Sequence, residues 1–234
     1  WRPRDSSHGM PPDHGICEVR TSMSNGNSPA GMGSWRPLIV GIGGTIREGS
    51  SSEKALRFVL AEAERAGAET AIFIGRDIEL PMYAPENKTR SRQAIALIDA
   101  LRRAHGIVLA SPGYHGSISG LLKNALDYVE DMRDDELPYF EGRAVGLIAC
   151  AAGWQAAGMT LNTLRSIVHA LRGWPTPLGV TINTIGRSFD DDGTPVESTI
   201  ATQMRILARQ VVQFAHMQAR VRLDPPGVMA ASAG

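Results

Sequence analysis

Five short runs of apolar residues divide the middle of the chain, and none of them alternates with polar positions. They are Leu38–Gly43, Thr70–Ile74, Gly106–Ala110, Ala144–Ala149 and Gly179–Asn183. A strand that is apolar throughout is buried on both faces, which is typical of a parallel sheet covered by helices. The runs therefore predict five parallel strands.

The segments between these runs carry apolar residues at helical spacing. The stretches predicted to be helical are Ser52–Ala66, Gln93–Ala104, Gly120–Met132, Met159–Leu171 and Glu197–Arg220. Strand and helix thus alternate along the chain, which favours right-handed crossovers and a doubly wound α/β fold. For five strands we predict the order 2-1-3-4-5, with helices on both faces of the sheet.

This strand order also predicts where a ligand binds. In open α/β sheets ligands lie outside the carboxyl ends of the strands, at the point where the strand order reverses. The first and third strands flank that point. We therefore expect the loops that start at Gly43 and at Ser111 to face one ligand.

The two ends of the chain have a different composition. Residues 1–36 and 223–234 are rich in Gly, Pro and Ser and poor in large aliphatic residues, so they bury too little apolar surface to offset the entropy of ordering. We expect disorder in both segments. The first is expected to be a leader or a segment introduced by the expression vector. One folded domain, residues 37–222, is left.

Charge and cysteine content exclude several classes of protein. The chain has 24 Lys and Arg against 24 Asp and Glu, so it lacks the basic excess that nucleic-acid or membrane-surface binding requires. Its two cysteines, Cys17 and Cys150, form neither a disulfide framework nor a zinc motif. No apolar run approaches the roughly 20 residues of a membrane span. We expect a cytoplasmic protein without a metal, a nucleic-acid partner or a membrane partner.

The loop after the first predicted strand is rich in small and polar residues. It reads G-G-T-I-R-E-G-S-S-S from Gly43 to Ser52. Glycines let a ligand approach the backbone, hydroxyl and main-chain N–H groups donate hydrogen bonds, and the following helix adds partial positive charge. With Arg47 in the same loop, this inventory favours a phosphate. The alternative is that Ser51 or Ser52 only caps the helix.

The spacing of this loop limits which nucleotide carries the phosphate. A P-loop has Lys where Ser50 stands, so triphosphate hydrolysis is disfavoured. The dinucleotide pattern G-x-G-x-x-G fails as well, because Ile46 occupies the place of its third glycine. The loop therefore predicts a mononucleotide.

The loop after the third predicted strand carries a resemblance to a known family. Residues 111–128 read S-P-G-Y-H-G-S-I-S-G-L-L-K-N-A-L-D-Y, which is similar to the pattern P-E-Y-N-x-S-x-P-G-x-L-K-N-A-[IL]-D-[WY] of the NADPH-dependent FMN reductase family. The first loop resembles that family's G-S-x-R-x-x-S. The resemblance covers residues 37–220 and implies a flavodoxin-like fold that binds FMN.

The resemblance also implies which residues contact the cofactor. Those implied around the FMN phosphate are Thr45, Arg47, Ser50 and Ser52. Those implied against the isoalloxazine ring are Pro112, Gly113, Tyr114, His115, Gly116 and Ser117, followed in a third loop by Ala152, Gly153 and Trp154.

Two positions depart from the family pattern. Gly113 replaces the family Glu and His115 replaces the family Asn, so side-chain contacts at both positions change while main-chain contacts can remain. His115 is either a proton donor to the acceptor or, in the interpretation we favour, an ordinary loop histidine, because flavin hydride transfer needs no protein acid.

The activity implied by the resemblance is transfer of a hydride from NADPH, or NADH, through FMN to a small acceptor. Flavins, quinones, azo compounds and chromate are the candidate acceptors, and Arg47, Arg90 or Arg92 could meet the 2′-phosphate of NADPH. A homodimer or homotetramer is implied too. The alternatives are a flavodoxin-type electron carrier that does not oxidise NAD(P)H and a module that binds a mononucleotide without redox chemistry.

Overall fold

The computed structural model describes residues 35–223. The predictions for the two ends therefore lie outside the described residues, except at Trp35, Arg36 and Leu223. Arg36 donates a hydrogen bond to the carbonyl of Ala68, and Leu223 is the last residue of a helix.

All five predicted strands and all five predicted helices are present. The strands are β1 Leu38–Gly43, β2 Glu69–Phe73, β3 Gly106–Tyr114, β4 Ser117–Ile118, β5 Ala144–Ala151, β6 Trp174–Pro175 and β7 Val180–Asn183. The helices are α1 Ser51–Arg65, α2 Arg92–Arg103, α3 Gly120–Asp127, α4 Trp154–Ala170 and α5 Ser198–Leu223. Two 3₁₀ turns, Gly75–Ile78 and Tyr128–Met132, follow β2 and α3.

The structure corrects the prediction in four places. The third strand, predicted to end at Ala110, continues to Tyr114, so the first residues of the predicted second loop belong to β3. The strands β4 and β6 have two residues each, too few to show any periodicity, and were not predicted. The helix α4 begins at Trp154 rather than Met159, because the Gly- and Ala-rich stretch that suggested a loop forms its first turn. The segment 120–132, predicted as one helix, is α-helical only to Asp127 and continues as the 3₁₀ turn.

The sheet is parallel and has the predicted order. Its strands run β2-β1-β3-β5-β6, while β7 pairs with the carboxyl half of β5 beyond β6. The main strands therefore follow 2-1-3-4-5, with the fifth position shared by two short strands. Among the described strands the antiparallel pair is the hairpin of β3 with β4, and an isolated antiparallel bridge joins Phe189 and Pro195. This topology confirms the doubly wound, flavodoxin-like fold.

Two apolar layers cover the sheet. Residues of α2, α3 and α4 pack on one face, and residues of α1 and α5 pack on the other. Glycine in the strands allows close packing: a Cβ atom on Gly146 would lie 2.5 Å from the Leu207 side chain of α5. Helices on both faces leave the carboxyl edge of the sheet, with its loops, as the place for chemistry.

Candidate functional site

The first loop ends in a capped helix. Ser50 is the N-cap of α1: its Oγ accepts a hydrogen bond from the Glu53 N–H at 3.3 Å and lies 3.3 Å from Oγ of Ser52. The cap is therefore Ser50, not Ser51 or Ser52 as the capping alternative assumed. Both hydroxyls are almost fully buried at the start of a 15-residue helix, where the dipole favours an anion.

The outer part of the first loop is open to a ligand. Oγ1 of Thr45 accepts a hydrogen bond from the Arg47 N–H at 3.1 Å, which folds the loop into a tight turn, and Arg47 itself is exposed. Gly49 has φ +65°, and no atom lies within 4 Å of the position that its Cβ would take. The Gly49 N–H donates to the Glu53 carboxylate at 3.0 Å, so the open side of this left-handed glycine, and not its N–H, is what lets a ligand approach the backbone closely.

The second loop is a β-hairpin. Gly113 pairs with Ile118 and Tyr114 pairs with Ser117, which leaves two residues in the turn. His115 has φ +50° and Gly116 has φ +81°, as a two-residue type I′ turn requires. Asn is the residue most often found before Gly in such turns, and His tolerates the left-handed region better than most residues. The departure from the family Asn at position 115 therefore preserves the turn.

The first two loops touch each other. A Cβ atom on Gly44 would lie 2.8 Å from Oγ of Ser119 and 2.9 Å from Cδ of Pro112, so only glycine allows the first loop to lie this close to the second. Oγ of Ser111 accepts a hydrogen bond from the Ser119 N–H at 3.1 Å, and Oγ of Ser119 caps α3. The loops that start at Gly43 and Ser111 are thus brought together, and buried serines close the second one.

The third loop is held by a residue that sequence reasoning missed. Gly153 has φ +106° and donates its N–H to Oδ1 of Asn183 at 3.0 Å, while its other side is open space. Asn183 ends β7 and accepts a second hydrogen bond, from the Ile185 N–H. Ala152 and Trp154 on either side of Gly153 are exposed. The only sequence signal for Asn183 was a polar residue that ends an apolar run.

A fourth segment beside the site was also missed. Residues 79–91, which we call the strap, connect the 3₁₀ turn after β2 with α2. The buried side chain of Asn124 on α3 accepts a hydrogen bond from the Tyr83 N–H at 2.8 Å and donates to the carbonyls of Leu80 and Pro81 at 3.2 and 2.9 Å. Asn124 belongs to the K-N-A motif quoted above, so the motif residue anchors the strap to the helix that follows the hairpin.

The far end of the strap is held by an ion pair. Arg90 donates two hydrogen bonds to the Asp131 carboxylate at 2.6 and 2.8 Å, and its guanidinium lies over the rings of Tyr83 and Tyr128. Hydrogen bonding from Arg90 lowers the pKa of Asp131 below its ordinary value. Arg90 is therefore committed to the strap, which leaves Arg47 and the exposed Arg92 as candidates for a 2′-phosphate.

The described residues provide neither a nucleophilic cysteine nor a metal site. Cys150 lies fully buried in β5, and burial raises the pKa of its thiol to about 12, so it is not a nucleophile. Between residues 35 and 223, no group of three His, Cys, Asp or Glu side chains could hold a metal ion. No helix in that part of the chain is long and apolar enough to cross a membrane.

Comparison with known proteins places the chain among flavin enzymes. Residues 37–185 match the family described as NADPH-dependent FMN reductase. The chain is 30% identical over 160 residues to an NADPH azoreductase of Bacillus sp. (strain OY1-2), which covers 68% of this chain and 79% of that protein. It is 33% identical over 110 residues to an FMN-dependent NADPH-azoreductase of Staphylococcus aureus, covering 46% of this chain and 55% of that protein.

Solved structures with the same fold include flavoenzymes. The NAD(P)H:(acceptor) oxidoreductase FerB of Paracoccus denitrificans superposes with a TM-score of 0.65 at 16% identity, covering 78% of this chain and 98% of that one. At this identity the likeness shows the fold alone.

Proposed function

This chain belongs to the NADPH-dependent FMN reductase family, and we propose that it reduces small planar aromatic acceptors, with azo compounds first among them. As a member of that family it is an FMN-dependent NAD(P)H oxidoreductase. The acceptor is the part that we propose, and the names of the Bacillus and Staphylococcus relatives support an azo compound. Quinones share the planar, apolar character of such dyes and form the second acceptor class.

One observation carries the FMN site on which the proposal depends: the first and second loops touch at Gly44, and open space lies beside Gly49 and Gly153. These residues fit FMN, since buried hydroxyls and a helix N-terminus suit its phosphate and the open backbone at Gly153 suits its ring. The residues that would hold the phosphate are Thr45, Arg47, Ser50 and Ser52. Those that would lie against the ring are Pro112, Gly113, Tyr114, His115, Gly116, Ser117, Ala152, Gly153 and Trp154.

When bound, FMN would supply the redox chemistry, which is the transfer of two electrons from NADPH to the acceptor. The protein would position the flavin and the acceptor and set their surroundings. Main-chain groups of the hairpin can donate to and accept from the polar edge of the ring, and they are held by Ser111 and Ser119. The exposed rings of Tyr114 and Trp154 offer apolar faces to planar molecules that enter.

The distribution of exposed apolar residues supports an apolar acceptor. Large apolar side chains are exposed at or after the carboxyl ends of β1, β2, β3, β5 and β7. They are Ile46, Met82, Tyr114, Trp154 and Ile185, exposed by 56 to 81%. Apolar side chains at this edge suit an aromatic molecule better than an oxyanion such as chromate.

The proposal also includes the oligomeric state and the cellular location of the protein. The same apolar edge supports a homodimer or homotetramer, since such surfaces are commonly covered by a second subunit. We also propose a cytoplasmic location, and the balanced charge of the chain supports the absence of nucleic-acid or membrane-surface partners. Light scattering of the purified protein measures the assembly directly.

The test is a spectrum of the purified protein with FMN, followed by anaerobic NADPH and then an azo dye. We expect flavin bands that NADPH bleaches and that methyl red restores as the dye loses its colour. Bound flavin that NADPH does not bleach would instead indicate an electron carrier. Bleaching by NADPH without dye reduction would contradict the proposed acceptor.

A further inference from the structure

Two exposed methionines lie on the segments that support the hairpin. Met159 is on α4, which packs against the hairpin, and its Cε lies 3.4 Å from the position that a Cβ of Gly116 would take in the turn. Met82 is on the strap, which is bonded to the helix that follows the hairpin. Their side chains are 51% and 81% exposed.

Each methionine is attached to a backbone that a buried polar group holds in place. The carbonyl of Pro81 and the N–H of Tyr83, on either side of Met82, are both bonded to the buried side chain of Asn124. Thr160, next to Met159, is completely buried, and its Oγ1 donates to the carbonyl of Ala156 at 2.9 Å. The backbone at both positions is therefore anchored by hydrogen bonds, while both side chains are exposed.

Such an arrangement suits a particular kind of ligand. Methionine has three rotatable bonds and a polarizable sulfur that makes favourable contacts with aromatic rings, so it adapts to aromatic molecules of different outline. Met159 lies beside the turn of the hairpin, and Met82 lies on the strap that is bonded to the helix following the hairpin. Charged groups would gain little from either side chain.

We propose that Met82 and Met159 are specificity-determining residues that form adaptable apolar walls of the acceptor site and favour extended aromatic acceptors over small ones. This inference rests on the proposed function. It predicts that the two side chains contribute to acceptor selectivity and not to the binding of the FMN phosphate.

A binding experiment tests the contact without turnover. The FMN-loaded protein is labelled with [¹³C-methyl]methionine, and methyl red is titrated in without NADPH; the chain has nine methionines. Met82→Leu, Met159→Leu and Met217→Leu assign three of the signals. We expect ring-current shifts at Met82 and Met159 and none at Met217, which is 61% exposed on α5. Dye binding that moves neither of the two signals would overturn the proposal.

A kinetic experiment tests selectivity. For Met82→Ala and Met159→Ala, the ratio of kcat/KM for methyl red to that for p-benzoquinone should fall about five- to tenfold, because the larger ring system loses more apolar contact. Met217→Ala is the matched control and should keep the ratio. An equal loss for both acceptors would refute a role in selectivity.

Two further outcomes separate the possible failures. A change of oligomeric state in Met82→Ala, with the acceptor ratio preserved, would make Met82 a subunit contact and overturn its proposed role. If the wild-type protein binds FMN but reduces no dye with NADPH, the proposed function fails. The methyl signals then still report independently whether planar aromatic molecules contact the two residues.

Discussion

Thr160 occupies the space into which a side chain at Gly113 would extend. A Cβ atom on Gly113 would lie 2.5 Å from Oγ1 of Thr160 and 2.9 Å from Cβ of Ala151. The glycine that replaces the family Glu in the second loop is therefore required by its neighbour on α4, 47 residues further along the chain. The hairpin and α4 are fitted to each other at this point.

Gly113→Ala should destabilise the protein by about 1–3 kcal/mol, the usual cost of overpacking. Urea unfolding measures the change. Gly158→Ala is the matched control: no atom lies within 4 Å of its Cβ position, and alanine in this exposed helical position should stabilise by about 1 kcal/mol. In the double variant, Thr160→Ala should reduce the loss of unfolding free energy that Gly113→Ala causes. Strictly additive changes in unfolding free energy would contradict direct contact between the two positions.

Arg47→Ala should weaken FMN binding by roughly 10- to 100-fold, since a charge-assisted hydrogen bond to phosphate contributes about 1.5–3 kcal/mol. Riboflavin lacks the phosphate, and its affinity should not change. Quenching of flavin fluorescence by the apoprotein measures both. Arg209→Ala on α5 serves as the control, and an equal loss for FMN and riboflavin would show that Arg47 does not contact the phosphate.

His115→Asn should preserve activity and its pH profile, because the side chain at this position has to tolerate φ +50° in the turn and Asn does so best. Gly116→Ala should lower the free energy of unfolding by about 1–2 kcal/mol, because its φ of +81° is unfavourable for a residue with a Cβ. Rates of azo-dye reduction across pH measure the effect of His115→Asn. If His115→Asn removes one limb of the profile, His115 is a proton donor after all.

His105 should make stability depend on pH. Its Nδ1 accepts a hydrogen bond from the Leu38 N–H at 3.0 Å, so the folded state needs neutral imidazole. Burial, followed by the charges of Arg222 and Arg143, lowers the pKa of His105 below 6.5. The contribution is therefore complete above the ordinary pKa and is lost as pH falls through the lower folded value.

His105→Gln keeps an acceptor but removes the titration. Urea unfolding between about pH 5 and pH 7 should show a smaller loss of stability for this variant than for the wild type. His169→Gln, at an exposed position on α4, is the matched control and should follow the wild-type curve. Parallel curves for wild type and His105→Gln would assign the acid sensitivity to other groups.

Much of the fold could be read from local patterns. The five apolar runs located the main strands because a strand buried on both faces must be apolar at every position. Two strands of two residues each could not be predicted in this way. The start of α4 was misplaced because a glycine-rich sequence can form either a loop or a helical turn. The loops of the candidate site were identified from their residue types and motif spacing, whereas Asn183 and the strap were not.

By itself, the sequence determined the order of strands, the edge of the sheet where we predict the ligand and the resemblance to the FMN reductases, because periodicity, chain connectivity and motif spacing are local properties. The tertiary structure decided how the loops support one another. The contacts between Gly113 and Thr160, Asn124 and Tyr83, and Gly153 and Asn183 join residues 30 to 47 positions apart. Such pairs depend on how whole elements pack, and no local pattern in the sequence records that.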